Sequence, residues 1–289
     1  MPTNSPPANL PAAINQPAAV GASPAPRSSG AVPSDLYDES YFLTVCEGYA
    51  EFQSGEGAYL SSRLAQALAV AGVAPGMSVL DIGCGRGEIL RSTAAMGARA
   101  YGIDYASVAV RLSRKVADGI EGAAGPIGVY QASALYLPFA TDSLDRVLML
   151  DIVEHLYPDE LSVAYGEAHR VLKPGGRIVV HTAPNRWYDR YAYPLVRAVR
   201  VLMGQGDRYP RNPREIIPEN LHVHVNEQSA LSLWRGLTSH RFRSVRSWLS
   251  TPPQHRRENP AFRIARWVLF ELPPFSWFFE REVFAVGEK

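Results

Sequence analysis

The chain has 289 residues, a formal net charge of +1 and 46% hydrophobic residues, enough for one well-buried α/β domain or two small ones. That charge gives no bulk electrostatic case for nucleic acid. Cys46 and Cys84 lie far apart and make no disulfide framework, which fits a reducing, cytoplasmic compartment. No stretch reaches the ~18–20 apolar residues of a transmembrane helix.

Residues 1–34 are rich in Pro, Ala, Ser and Asn and nearly free of charge, so a disordered tail is expected there. It lacks the basic start of a secretory signal. Residues 35–289 read as one domain. Helices are expected over 36–71, where Tyr59-Leu60, Leu64, Leu68 and Val70-Ala71 recur near helical spacing. Pro75-Gly76 then turns the chain into a short buried strand that runs into a glycine-rich loop, Val79-Leu80-Asp81-Ile82-Gly83-Cys84-Gly85-Arg86-Gly87. A helix over 88–95, a strand over 100–103 ending at Asp104 and a helix over 107–117 follow. Further strands are expected at 127–131, 146–150 and 177–181, with a helix over 159–171 between the last two. This alternation predicts an α/β fold: a doubly wound, Rossmann-like sheet, mostly parallel, with helices on both faces.

Residues 184–230 break that rhythm. They carry Trp187, Tyr188, Tyr191, Tyr193 and Tyr209, and their length reads as a functional insertion or lid. A helix over 228–239 and strands at 242–249 and 282–286 close the domain. Residues 267–279 read as a packed C-terminal segment, with a membrane-surface role as the alternative, because the aromatics are dense and Arg263 and Arg266 flank them. Fifteen arginines against six acids fall between Arg186 and Arg266. They read as solvated faces of an arginine-rich composition, with an anionic substrate as the alternative.

The glycine spacing decides which nucleotide suits the loop. A dinucleotide fingerprint needs G-x-G-x-x-G. Here the third glycine, Gly87, comes one residue early and Glu88 holds its place. Asp81 and Glu88 at the flanks would repel a pyrophosphate and suit a cationic group. An adenosine that carries an amino acid fits, and S-adenosylmethionine (SAM) is one. Asp104, 104 − 81 = 23 residues after Asp81, would accept from both ribose hydroxyls, since an acid roughly 20 residues on does this in related folds.

These motifs resemble those of the class I SAM-dependent methyltransferases. Gln131-Ala132-Ser133-Ala134 before Leu137-Pro138-Phe139, the acidic turn Asp142-Ser143-Leu144-Asp145, Asp151-Ile152-Val153-Glu154-His155 and Leu172-Lys173-Pro174-Gly175-Gly176 match the family's later motifs in order. The likeness covers roughly residues 75–185. It implies a final antiparallel strand and a SAM site at Asp81, Gly83, Gly85, Gly87, Asp104, Tyr105, Ser133, Ala134 and Asp151. Ser133 stands where the family often has Asp near the adenine amino group.

Methyl transfer from a sulfonium is an in-line displacement in which the protein mainly aligns the two partners. A small-molecule acceptor, with oxygen as nucleophile, is expected, and an oxygen acceptor needs a base. His155 is the first candidate base, and His222 or His224 completes the acceptor site, with His222 preferred. His181 reads either as a pocket residue or as a satisfied core histidine. Asp151, Glu154, His155 and His222 also resemble the set that terminal-ribose methyltransferases of small RNAs carry, which implies a divalent ion orienting vicinal hydroxyls. No metal is expected here, because Asp at that strand end is common in metal-free relatives. A non-catalytic SAM-binding subunit is the reading outside enzymes, and the sequence leaves the oligomeric state open.

Overall fold

A computed structural model describes residues 32–46, 48–55, 59–119, 124–250, 267 and 272–289. Seven strands form one sheet: β1 Ser78–Ile82, β2 Arg99–Asp104, β3 Ile127–Gln131, β4 Leu144–Leu150, β5 Leu172–Thr182, β6 Arg243–Ser250 and β7 Glu282–Glu288. Their order is β3-β2-β1-β4-β5-β7-β6. The first five pair in parallel, and β7 lies antiparallel between β5 and β6. The expected strands and the final antiparallel strand are therefore present.

The helices are α1 Tyr49–Gly55, α2 Ser62–Ala71, α3 Glu88–Ala95, α4 Ser107–Asp118, α5 Pro158–Val171, α6 Tyr193–Leu202, α7 Asn220–Val223, α8 Ala230–Ser239 and α9 Phe275–Phe279. β1 is buried along its whole length, as a central parallel strand covered on both faces must be. One apolar layer joins Leu80, Ile82, Met149 and Val180 to Leu161 and Tyr165 of α5 and Leu233 of α8. The opposite face packs Leu64, Leu68 and Ala71 of α2 on Val79, Leu148 and Val179. These layers set the strand ends rigidly, and strand order reverses between β1 and β4, where such sheets open a ligand crevice.

Three expectations need correction. β5 starts at Leu172 rather than 177, because Leu172 pairs with Leu144 before a register shift around Lys173-Pro174-Gly175-Gly176. The expected tail lies outside the described residues as far as residue 31, but Val32 is buried and Val32, Pro33 and Ser34 line the main cavity. Of the segment over 267–279, only 267 and 272–279 are described, and it is not packed throughout: Phe275 and Trp277 of α9 are half exposed. No helix among the described residues is long and apolar enough to cross a membrane.

Candidate active site

A cavity of about 1320 Å³ lies beyond the carboxyl ends of β1, β2 and β4. Its first wall is the glycine loop. Gly83 N and Cys84 N donate to the Ile103 carbonyl at 2.8 and 3.0 Å, which hangs the loop from β2. Gly83 has φ +77°, and a Cβ there would meet Ile152 at 3.0 Å. Gly87 has φ +89° and caps α3, and a Cβ would come within 3.0 Å of Ser113 Cα on α4. Only glycine accepts both demands.

Asp81, Glu88 and Asp104 line the cavity at this wall. Asp104 Oδ2 accepts from Gly85 N at 3.2 Å and Oδ1 from Ala106 N at 2.9 Å. Those bonds fix the carboxylate plane and leave further lone pairs for a pair of hydroxyls. Burial raises Asp104 to about 6 against these backbone donors. Asp81 is only 4% exposed and lines the cavity, and its carboxylate has no hydrogen-bond partner among the described residues. Burial first, then the charges of Glu88 and Asp104, hold it well above the usual carboxylate range. A buried carboxylate pushed up in this way is poised to gain from a cation.

The second wall is the candidate acceptor side. Tyr37, Tyr41 and Phe42, from a segment that precedes α1, pack together and line the cavity. Glu154 and His155 follow β4, and His224 follows α7. One ligand atom from each of the three lies within 4.8 Å of the others. His155 Nδ1 lies 3.1 Å from the Val223 carbonyl and 3.0 Å from the Tyr37 hydroxyl. Only a protonated Nδ1 can donate to the Val223 carbonyl, which leaves Nε2 with its lone pair. Burial, then the neighbouring His224, lowers His155 to about 3, and burial lowers His224 to about 4. Both are neutral near pH 7. Burial raises Glu154 to about 7, opposed by its own backbone, the Thr182 hydroxyl, the Ala183 backbone and the Arg63 charge.

Residues 80–180 match the family described as "Methyltransferase domain". Over that stretch the chain is similar to methyltransferase domains. Similar curated proteins are a ubiquinone biosynthesis O-methyltransferase of Xanthomonas oryzae pv. oryzae, 33% identical over 48% of this chain and 53% of that protein, and cycloartenol-C-24-methyltransferase 1 of Oryza sativa, 32% identical over 38% of this chain and 31% of that protein. The chain thus spans about a third to a half of the length of these relatives. A SAM-dependent methyltransferase of Archaeoglobus fulgidus shares the fold, with a TM-score of 0.53, 20% identity and coverage of 78% of this chain and 93% of that one. So does a geranyl diphosphate methyltransferase solved with SAM, with a TM-score of 0.51, 19% identity and coverage of 90% and 96%.

The residues present fit SAM. The unpartnered Asp81 suits an ammonium and the pinned Asp104 a ribose diol. Gly83, Gly85, Asp104, Tyr105, Ser133, Ala134 and Asp151 all line the cavity with Asp81. Gly87 does not; its part is to let α3 approach α4. Asp151, at φ +55°, is held by an ion pair to Arg63 and by His181 Nδ1 at 2.6 Å. Among the described residues it is not one of the clustered side chains that could hold a metal ion, which are Glu154, His155 and His224. His181 is buried beside Asp151 and does not line the cavity.

His222 is a correction. The alternation Leu221-His222-Val223-His224-Val225 suggests period two, but 220–223 is a helical turn. It buries Val223 and His224 together and leaves His222 exposed, outside the cavity. His155 does line the cavity, but its low proton affinity is a poor match to a base working near neutrality. Sequence reasoning missed Tyr37 and Arg63. Arg63 had a signal: it sits four and eight residues before Ala67 and Ala71, on the buried stripe of α2.

Proposed function

We propose that this chain is a SAM-dependent methyltransferase that acts on the oxygen of a small, partly apolar molecule. Bound SAM supplies a methyl group activated on a sulfonium. The carrying observation is that one cavity joins the carboxylate-lined loop to Glu154, a buried carboxyl at about 7. Glu154 accepts the acceptor's proton, because a base with its pKa near the working pH is the effective one. His155, fixed by Val223, orients the acceptor hydroxyl, and the Tyr37, Tyr41 and Phe42 rings exclude water.

The test is calorimetric titration of SAM, followed by turnover of a panel of phenols, catechols and aliphatic alcohols. Tight SAM binding with methyl ether formation on one class supports the reading. Methyl transfer only to nitrogen or carbon acceptors would overturn the oxygen assignment.

A second reading has its own support. Buried Glu154 Oε2 and His224 Nδ1 have no hydrogen-bond partner among the described residues. His155 donates its other ring N–H to a carbonyl, as metal-bound histidines commonly do. In this reading Glu154, His155 and His224 hold a divalent ion that orients adjacent hydroxyls. Activity on a catechol that disappears on chelation and returns with a divalent metal favours it; activity that survives exhaustive chelation removes it.

A further inference from the structure

The 184–230 insertion contains a helix turned inside out. In a water-facing helix the apolar stripe meets the protein and the charges meet solvent. In α6 the charged residues face inward. Arg197 Nε donates to the Tyr209 carbonyl at 3.0 Å. Arg200 donates to Gln205 Oε1 at 3.0 Å and stacks over the Tyr209 ring. Leu195, Val199, Leu202 and Met203 fall at helical spacing on the opposite side, and all are exposed, Leu202 at 89%.

This face is continued by α9. Tyr191, in the turn before α6, meets Phe278 edge-on at 5.6 Å, and Trp187 stacks on Phe278 at 5.7 Å. Phe275 and Trp277 are about half exposed on the same short helix. Tyr188 bridges toward the cavity: Arg281, which lines the cavity, stacks over its ring.

Charge selects the occupant. Residues 186–214 contain seven arginines and two aspartates, hence 7 − 2 = +5. Arg186, Arg190, Arg208 and Arg211 are exposed, and none of them pairs with a carboxylate among the described residues. A second copy of the chain would bring the same arginines face to face. An anionic bilayer would take apolar side chains and basic fringe together, with Trp and Tyr at headgroup depth.

We infer that α6, the turn before it and α9 form a docking surface for an anionic membrane, placed beside the cavity that takes the acceptor. The surface does not depend on the chemistry of methyl transfer, so vesicle binding and turnover can fail separately.

The experiment is co-sedimentation of the full chain with vesicles of phosphatidylcholine alone and of phosphatidylcholine mixed with phosphatidylglycerol. Binding is expected only to the mixed vesicles, and high salt weakens it. The double variant Val199→Glu/Leu202→Glu lowers it at least about tenfold. Arg208→Glu/Arg211→Glu lowers it roughly fivefold per arginine. Both pairs are solvent-exposed, so folding and SAM affinity stay at wild-type values. Equal binding to both vesicle types, no binding, or a double variant that pellets like wild type overturns the proposal. A wild-type dimer in solution that Leu202→Glu dissociates, with no vesicle binding, assigns the surface to a second copy instead and equally overturns it.

Discussion

The two walls of the cavity are built on different principles. The cofactor wall consists of strand ends and tight backbone turns, so its polar groups are placed by the sheet itself. Asp104 is held by two main-chain N–H groups, and the glycine loop hangs from the Ile103 carbonyl. The acceptor wall is assembled from a segment before α1, a turn after β4 and the residues after α7. There the Tyr37 hydroxyl meets the His155 ring, which packs edge-on against His224. A site made of backbone can be read from glycines and strand periods, whereas a site made of side chains from distant loops requires the fold itself.

Substitutions can sharpen that contrast. The largest effect belongs to the cofactor wall. Asp104→Ala removes the proposed acceptor of both ribose hydroxyls together with that of Gly85 N, so SAM affinity should fall by about 10²–10⁴-fold at roughly 1.5–3 kcal/mol per charged hydrogen bond. Unchanged affinity by calorimetry would remove Asp104 from the site.

Glu154→Gln is next, and it should separate the walls. It should lower kcat by about 10²-fold or more while SAM affinity changes less than about twofold, because it takes the proposed base and leaves the cofactor wall intact. A loss of SAM affinity in parallel with kcat would show that the two walls are coupled.

Acid should distinguish the two histidines of the acceptor wall from the buried carboxyls of both walls by sign. His155 and His224 titrate below their ordinary values, at about 3 and about 4. Their contribution to stability is complete above about 6.5, the free-imidazole value, and is lost as pH falls toward those values. Asp104 at about 6 and Glu154 at about 7 run the other way. Their contribution is complete below the usual carboxylate range and is lost as pH rises through those values. Denaturation of His155→Gln against wild type between pH 6.5 and 4 should show a shallower acid loss in the variant, by at most about 1.4 kcal/mol per pH unit. Identical slopes would mean that His155 is not buried neutral. SAM binding should also weaken by about tenfold per pH unit below 6 as Asp104 takes a proton.

The smallest effect is that of His222→Ala, which should leave kcat and SAM affinity within about twofold of wild type, as exposed surface positions generally do. His224→Ala, by contrast, should impair turnover. The reverse pattern would restore His222 to the acceptor site.

Much of the fold was legible from sequence because two periods and the glycines carry it. β1 to β4 and α3 to α5 fall within two residues of the expected bounds. On the cofactor side Asp81, Gly83, Gly85 and Asp104 reach the cavity as spacing implied, while Gly87 serves helix packing. The acceptor side resisted for a local reason. A single helical turn at 220–223 changed which histidine points inward, and no periodicity in five residues separates that turn from a strand. Val32–Ser34 escaped notice because a cavity wall made of three residues has no pattern of its own.

Arg86 carries a mechanical consequence. Its guanidinium donates from Nη1 to the Phe42 and Cys46 carbonyls at 2.8 and 3.2 Å, while its backbone belongs to the glycine loop. Nε is held by Glu88 at 2.9 Å at the start of α3. The aromatic roof over the cavity is therefore strapped to the cradle beneath it. Any opening that lifts Phe42 must either break those bonds or drag the loop along, so passage of a ligand and the shape of the loop are one motion.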